Sequence, residues 1–373
     1  MYSPVKRIVV MSGNVDIRAS GGRLKLSQGF AFGGKVTEEW LSRGTCDVDH
    51  IVVLGKSGTI TLDAIQWMMD MGIIVSMLDY QGNLVTDMLP QEHISPIVKQ
   101  RQALASPELQ RKLTLGLLQE KLGGQLKTLK SLKMVGLDGS PLTVGEKRSI
   151  EKGIAYLRDF QGDLSKCENP DQMMTVEAQA AMSYWGAFEG IPLKWKVSAA
   201  KPIPEHWLSI GARVSPKTCR NGRFAIRPFH ACLNYLYGCL ESRVKRYCIA
   251  YRLDMDFPVL HGNSRMNRSS LIYDLMEPIR PSVDRMLYQF MAKTDLRVSD
   301  FFETRQGICK VMPELASKII PLVRSLDSDI NRVVKEFASN YKNRRMEAPP
   351  DDYRKLVADG DDSLDSVGAV VQN

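Results

Sequence analysis

The sequence predicts an α+β protein in which a small N-terminal β-rich domain, residues 1–94, precedes a larger all-α domain, residues 95–345. Three observations carry this. Short apolar runs separated by Gly and Asn turns fill roughly the first ninety residues, and leucines at helical spacing begin soon after Ser95. From Met346 the chain turns acidic and poor in large apolar residues, so 346–373 is expected to be a disordered tail. At 373 residues the chain exceeds one hydrophobic core, and two domains are the natural division.

In chain order, Val5–Met11, Val15–Ala19, Arg23–Ser27 and Gly34–Glu39 read as strands, split by Ser-Gly-Asn and Gly-Gly turns. His50–Leu54 and Ile73–Leu78 are apolar enough to be buried strands. Between them Thr61–Met71 carries apolar residues at helical spacing, with Thr61 placed to cap it, and Asp79–Asn83 makes a turn. Beyond Ser95, Ser106-Pro107-Glu108 is a helix start: a capping serine, a proline at the first helical position and an acid in the first turn. Further helices fit Val144–Asp159, Pro170–Phe188, Phe229–Tyr251, an interrupted Ser270–Lys293, and Leu315–Ser339.

Charge is distributed unevenly. The last 28 residues hold seven acids and two bases, so against +8 for the whole chain residues 1–345 carry about +13. Between Arg213 and Arg252 nine basic residues face the single acid Glu241, a density that favours a polyanionic partner. A solvated charged surface explains the same block equally well. The seven cysteines include no Cys-x-x-Cys pair and read as reduced and buried. No apolar run approaches the ~20 residues of a membrane span, and the N-terminus has no secretory h-region, so a cytoplasmic protein is expected.

Of five histidines, His50, His93, His206 and His230 lack a partner pattern and read as structural or surface residues. His261 lies thirteen residues before Asp274 and sixteen before Glu277, and on a helix those two acids would share a face. Carboxylates on an otherwise apolar helix are costly to bury unless paired or bound to a cation. Oxygen ligands with one imidazole suit Mg²⁺ or Mn²⁺ better than a structural zinc site. By spacing alone, though, Asp-x-x-Glu fits an exposed acidic face better. Glu177, among small residues and on one stripe with Ala181, Tyr184 and Phe188, supplies a third acid.

Glu177-Ala-x-Ala-Ala-x-x-Tyr184-Trp, Arg227-Pro-x-x-Ala-Cys-Leu-Asn234-Tyr-Leu-Tyr237, Leu260-His261-Gly and Ser270-Leu-x-x-Asp274-Leu-Met-Glu277-x-x-Arg280-Pro-x-Val-Asp284 occur in that order. Behind an N-terminal part with the Gly72–Gly82 turn, the set resembles the CRISPR-associated spacer-acquisition integrase family over roughly residues 5–340. The resemblance implies a homodimer joined through the β-rich domains and an all-helical catalytic domain that inserts short DNA fragments into a CRISPR array. Phosphodiester transfer by a DNA 3′-hydroxyl is the implied chemistry. It further implies Mg²⁺ or Mn²⁺ on Glu177, His261 and Glu277, with Asp274 supporting the site and Asn234 and Tyr237 on a helix beside it. The implied partners are double-stranded or branched DNA and a small ferredoxin-like subunit. One departure stands out: Pro278 follows Glu277, removes the hydrogen bond to the Asp274 carbonyl and biases Glu277 away from α geometry.

Arg213, Lys217, Arg220, Arg223, Arg227, Arg243, Lys245 and Arg246 are the candidate phosphate contacts. A stand-alone casposon-type integrase or branched-DNA nuclease would share the site without the small subunit. A non-catalytic DNA-binding scaffold would have no use for Glu177, His261 and Glu277 together.

Overall fold

Ten strands and ten α-helices are set out by the computed structural model, which describes residues 6–29, 36–89, 95–132, 136–196, 202–213, 224–260 and 269–342. The predicted tail lies outside these residues.

Two four-stranded sheets form the N-terminal part. In the first, β1 (Arg7–Ser12), β5 (Val48–Leu54) and β7 (Ile74–Leu78) run parallel, and β8 (Leu84–Met88) closes one edge antiparallel. Every residue of β5 is buried, as expected of a central parallel strand covered on both faces. The second sheet has the order β4 (Thr37–Ser42), β3 (Arg23–Gly29), β2 (Asn14–Ser20), β6 (Gly58–Ile60). Val15 and Ile17 on β2 and Leu24 and Leu26 on β3 point inward in alternation. Helix α1 (Leu62–Asp70) adds Ala64, Trp67 and Met68 to the core these residues form with Met11, Ile51, Val53 and Val75. Thr61 stands at the cap position of α1 but its side chain makes no capping hydrogen bond, so the expected role is positional only.

The opposite face of the first sheet, through Ile8, Val52, Leu54 and Leu78, belongs to the large core of the helical part. There follow α2 (Pro96–Ala103), α3 (Pro107–Ser131), α4 (Val144–Lys166), α5 (Pro170–Gly186), α6 (Pro228–Ala250), α7 (Ser270–Met276) and α8 (Arg280–Ala292). Side-chain caps start four of them: the hydroxyls of Ser95 and Ser106 accept from Val98 N–H and Leu109 N–H, Thr143 and Glu146 form a reciprocal capping box, and Asn169 accepts from Gln172 N–H. One feature departs from the expected all-α character of this part, and another divides an expected helix. A short antiparallel pair, β9 (Phe301–Glu303) and β10 (Cys309–Val311), hangs on Ala225 through the Cys309 N–H. The single helix expected over Leu315–Ser339 is divided into α9 (Pro313–Ile319), a 3₁₀ turn over Ile320–Leu326 and α10 (Asp327–Lys342). Pro321 has no N–H to continue the α ladder, which accounts for the break. No helix among the described residues is long and apolar enough to cross a membrane.

Helix α6 joins the two parts. Fifteen of its residues are buried, and at Gly238 its backbone meets the turn between β7 and β8. A Cβ on Gly238 would lie 2.3 Å from the Gly82 carbonyl oxygen, and one on Gly82 (φ +83°) 2.5 Å from the Tyr235 nitrogen, so neither position admits a side chain. One helical turn further, Ser242 accepts a 2.8 Å hydrogen bond from Ser76 on β7, whose hydroxyl also meets His50 at 2.8 Å. Burial, with Arg243 and Arg246 nearby, pushes the His50 pKa well below its usual value, so the ring is a neutral structural group.

Next to it Arg243 is fully buried, donating from Nε to Asp327 at 2.5 Å and from Nη2 to Asp49 on β5 at 3.2 Å. Burial works against the guanidinium's charge, and the hydrogen bonds and charge of Asp327 and Asp49 outweigh it. Arg243 is therefore corrected from a candidate DNA contact to the centre of an ion cluster. Lys245 and Arg246 are also engaged by acids, Lys245 with Asp87 at 2.8 Å and Arg246 with Asp49 at 3.3 Å. Replacing Arg243→Met should lower the unfolding free energy by about 3 kcal/mol, read as an earlier urea midpoint. An unchanged midpoint would show the cluster to be dispensable.

Candidate metal centre

Three helices close around one small volume, and close backbone contact brings them there. Gly124 lets α3 lie against the start of α8, where an added Cβ would be 3.1 Å from Pro281. The Thr128 hydroxyl fixes that contact by donating to the Pro281 carbonyl at 2.8 Å. Gly153 does the same for α4 against α5, with Ala187 at 3.0 Å from an added Cβ. The result sets Lys121 of α3 opposite Glu177 of α5 and Glu277, the residue that ends α7.

The Lys121 ammonium contacts both acids: a carboxylate oxygen of Glu177, and Oε2 of Glu277 at 2.5 Å. Arg280 holds the other oxygen of Glu277, Nη1 to Oε1, at 2.5 Å. All three members of the central trio are at least 85% shielded from solvent, Glu177 being the most open at 15% side-chain exposure. Two acids distant in sequence thus converge on one point of positive charge in a low-dielectric setting. Paired hard oxygen donors aimed at a common point fit Mg²⁺ or Mn²⁺. Among the described residues no third His, Cys, Asp or Glu completes a metal cluster. His261 lies outside the described residues.

Asp274 engages the backbone. It is fully buried, and its Oδ2 accepts the backbone N–H groups of Val259 at 2.6 Å and Leu260 at 2.9 Å. It thereby fixes the segment that leads into His261. As expected, the helix is interrupted at Pro278, with α7 ending at Met276 and α8 starting at Arg280. Glu277 itself keeps helical angles, φ −54° and ψ −45°, against the bias imposed by the following proline.

A further acid lies behind the pair. Asp284 of α8 is buried and accepts hydrogen bonds from Tyr184 at 2.8 Å and Tyr237 at 2.5 Å. Tyr184 lies on the Glu177 stripe of α5, so that stripe does face the site. Arg213 and Arg280 lie over the Tyr237 ring at 5.2 and 5.3 Å. Burial raises the Asp284 pKa to about 6, while the tyrosine hydrogen bonds and the two arginines pull it the other way.

The other candidates scatter. Arg213 is exposed and Arg227 half-buried, reaching Ser209 at 3.4 Å. Lys217, Arg220 and Arg223 lie outside the described residues. His206 pairs with Glu303 at 2.9 Å, and His230 is buried against the Gly211 carbonyl with its pKa lowered to about 3. Sequence reasoning passed over Lys121. Its signal was a positive charge at a core position of a leucine stripe, Leu113, Leu117, Lys121, where the spacing calls for another apolar residue. Arg280 and Asp284 stood inside a quoted motif without being given a role.

A family model described as CRISPR associated protein Cas1 matches residues 8–324. The CRISPR-associated endonuclease Cas1 2 of Pyrobaculum aerophilum is 25% identical over 335 residues, which are 89% of this chain and 98% of the relative. A shorter match, to the CRISPR-associated endonuclease Cas1 of Korarchaeum cryptofilum, is 30% identical over 120 residues and spans 32% of this chain and 30% of that protein. A solved structure of a casposase bound to integration product has the same fold, with TM-score 0.67 and 21% identity over 94% of this chain and 98% of that one.

The raised Asp284 pKa has a definite sign in stability. Between about pH 4 and 6 the folded protein holds a proton at Asp284 that the unfolded chain has released, so this contribution is present at the low end and lost as pH rises to 6. Asp284→Asn should remove that downward slope, on the order of 3 kcal/mol, from a comparison of Tm against pH. Parallel profiles for the two proteins would count against it.

Proposed function

The chain belongs to the Cas1 family of CRISPR-associated proteins, and on that premise we propose that it is a divalent-metal-dependent DNA endonuclease and integrase. It would insert short DNA fragments into a CRISPR array, as a homodimer joined through the β-rich parts and with a small ferredoxin-like subunit. The observation that carries the reading is the convergence of Glu177 and Glu277, from separate helices, on one buried cationic point.

In this reading Glu177, His261 and Glu277 hold Mg²⁺ or Mn²⁺, which supplies Lewis-acid polarisation of the scissile phosphate. Glu177 and Glu277 provide the anionic oxygens. Arg280 grips one oxygen of Glu277 and so turns the other toward the common point. Asp274 positions His261 at one remove, by pinning the N–H groups of Val259 and Leu260. His261 serves as a neutral ligand, since a bound cation competes with its proton. In integration the DNA 3′-hydroxyl attacks the scissile phosphorus and loses its proton to solvent, and as the new P–O bond forms the bond to the target strand's own 3′-oxygen breaks, that oxygen leaving as a hydroxyl; water takes the attacking hydroxyl's place in hydrolysis. Arg213 and Arg227, with Lys217, Arg220 and Arg223, bind the phosphate backbone, and this binding weakens as salt rises.

A stand-alone integrase of the casposon type is the second reading, favoured by the likeness of fold to the casposase. It differs in needing no small subunit.

Purified protein incubated with Mn²⁺, a supercoiled plasmid carrying a repeat array and a short duplex with free 3′-hydroxyls should join the two DNAs covalently. Glu177→Ala, His261→Ala and Glu277→Ala should each cut joining by about a hundredfold or more while leaving DNA retention largely intact. Joining without the small subunit selects the second reading. Nicking alone reduces the activity to a nuclease, and no reaction with any divalent metal leaves a DNA-binding scaffold. Wild-type rates in the His261→Ala protein would refute the ligand assignment.

A further inference from the structure

Lys121 has no place in the reading above, yet it occupies the point that reading gives to the metal. Its ammonium meets both Glu177 and Glu277, while Arg280 takes Glu277 from the other side. Two glutamates and two cations make this buried group neutral. Without Lys121 the acids would repel one another where solvent screens little. With it they are drawn together at the separation a cation imposes. Lys121 is buried on α3, as are Leu117, Leu118 and Leu122 of the same helix, so its stem is shielded from water while its ammonium meets the acids.

A divalent ion cannot share a point with an ammonium. Like charges repel, and both would claim the same carboxylate oxygens. Metal entry therefore requires the ammonium to leave. We propose that Lys121 is an internal cation that holds the Glu177–Glu277 pair together and competes directly with the divalent metal for it. The inference rests on the proposed metal site and adds to it a built-in resistance to loading. Exchange of one ammonium for one M²⁺ takes the group from neutral to +1, the charge that one phosphodiester cancels. The competitor thus disfavours metal in the idle site more than in a site holding DNA.

The test is Mn²⁺ binding to the full chain, read by the loss of the free-ion signal in electron paramagnetic resonance. Wild type, Lys121→Met, Lys121→Arg and the double variant Lys121→Met/Glu177→Gln are compared without DNA. Met keeps the packed stem and removes the charge, so Lys121→Met should bind Mn²⁺ at least about tenfold more tightly, equivalent to 1.4 kcal/mol. Its metal-free Tm should fall, and saturating Mn²⁺ should restore it. Lys121→Arg keeps the charge and should retain the weaker wild-type affinity, which a merely structural role for the stem would not predict. The double variant should lose the tight site, assigning it to Glu177. If wild type binds Mn²⁺ and Lys121→Met binds it no more tightly, the competitor is refuted and the metal site stands. If none of the proteins binds Mn²⁺ at this pair, the metal site itself falls and the competitor with it.

Discussion

Two carboxylates held within reach of one point, away from water, are tolerable only with positive charge between them. That constraint organises the helical part. Glu177 and Glu277 arrive on helices that share no local sequence relation, and Lys121 arrives on a third. The backbone allows this because Gly124 leaves no side chain between α3 and the head of α8. Behind the pair, Asp284 is buried as well, and the hydroxyls of Tyr184 and Tyr237 satisfy its two oxygens. Acids concentrated in a dry interior are a standing cost to the fold. In the proposed function that cost is offset when a cation binds the pair.

The same electrostatic rule operates a second time, with the opposite outcome. On α6 the basic run Arg243, Lys245, Arg246 is met by Asp49 from β5, Asp87 from β8 and Asp327 from α10. Here the cations and acids answer one another within hydrogen-bond reach, and Arg243 is sealed from solvent. With the Gly82–Gly238 contact, this cluster fixes the β-rich part against the helix that also packs on α7 and α8. The geometry of the site and the docking of the sheets thus depend on one helix.

What could be read from the sequence follows from which interactions are local. Period-two alternation in Val15–Ile17 and Leu24–Leu26, the Gly21-Gly22 turn, and the Ser106-Pro107-Glu108 start all act within a few residues, and they appear where the pattern puts them. The strands β9 and β10, three residues each, carry too little periodicity to register, and β9 takes support from packing against Trp195 and Trp207. Within the basic block, Arg243 misled for the same reason. Net charge along a segment says nothing of acids that arrive from elsewhere in the chain, and Asp49 is almost two hundred residues from Arg243. At the site the acids were legible through motif order, whereas the lysine that faces them was hidden in a helix whose other spacing spoke only of core.

Pro278 shows how a local rule can be broken without loss of the helix. A residue before proline is pushed from α geometry, yet Glu277 keeps it and its N–H bonds the Asp274 carbonyl at 3.2 Å. That tightened last turn takes over the carbonyl that a non-proline residue at 278 would have engaged. The ladder then stops, α8 sets off from Arg280, and the Arg280 side chain returns to Glu277. Asp274 and Glu277, three residues apart, accordingly serve different neighbours: one secures the backbone at Val259 and Leu260, the other faces Lys121. Glu277 and Arg280 are three residues apart, the spacing that brings side chains together on a helix, and the helical angles kept at Glu277 preserve that contact although the ladder stops. Within four residues the chain thus supplies both an acid for the common point and the cation that orients it.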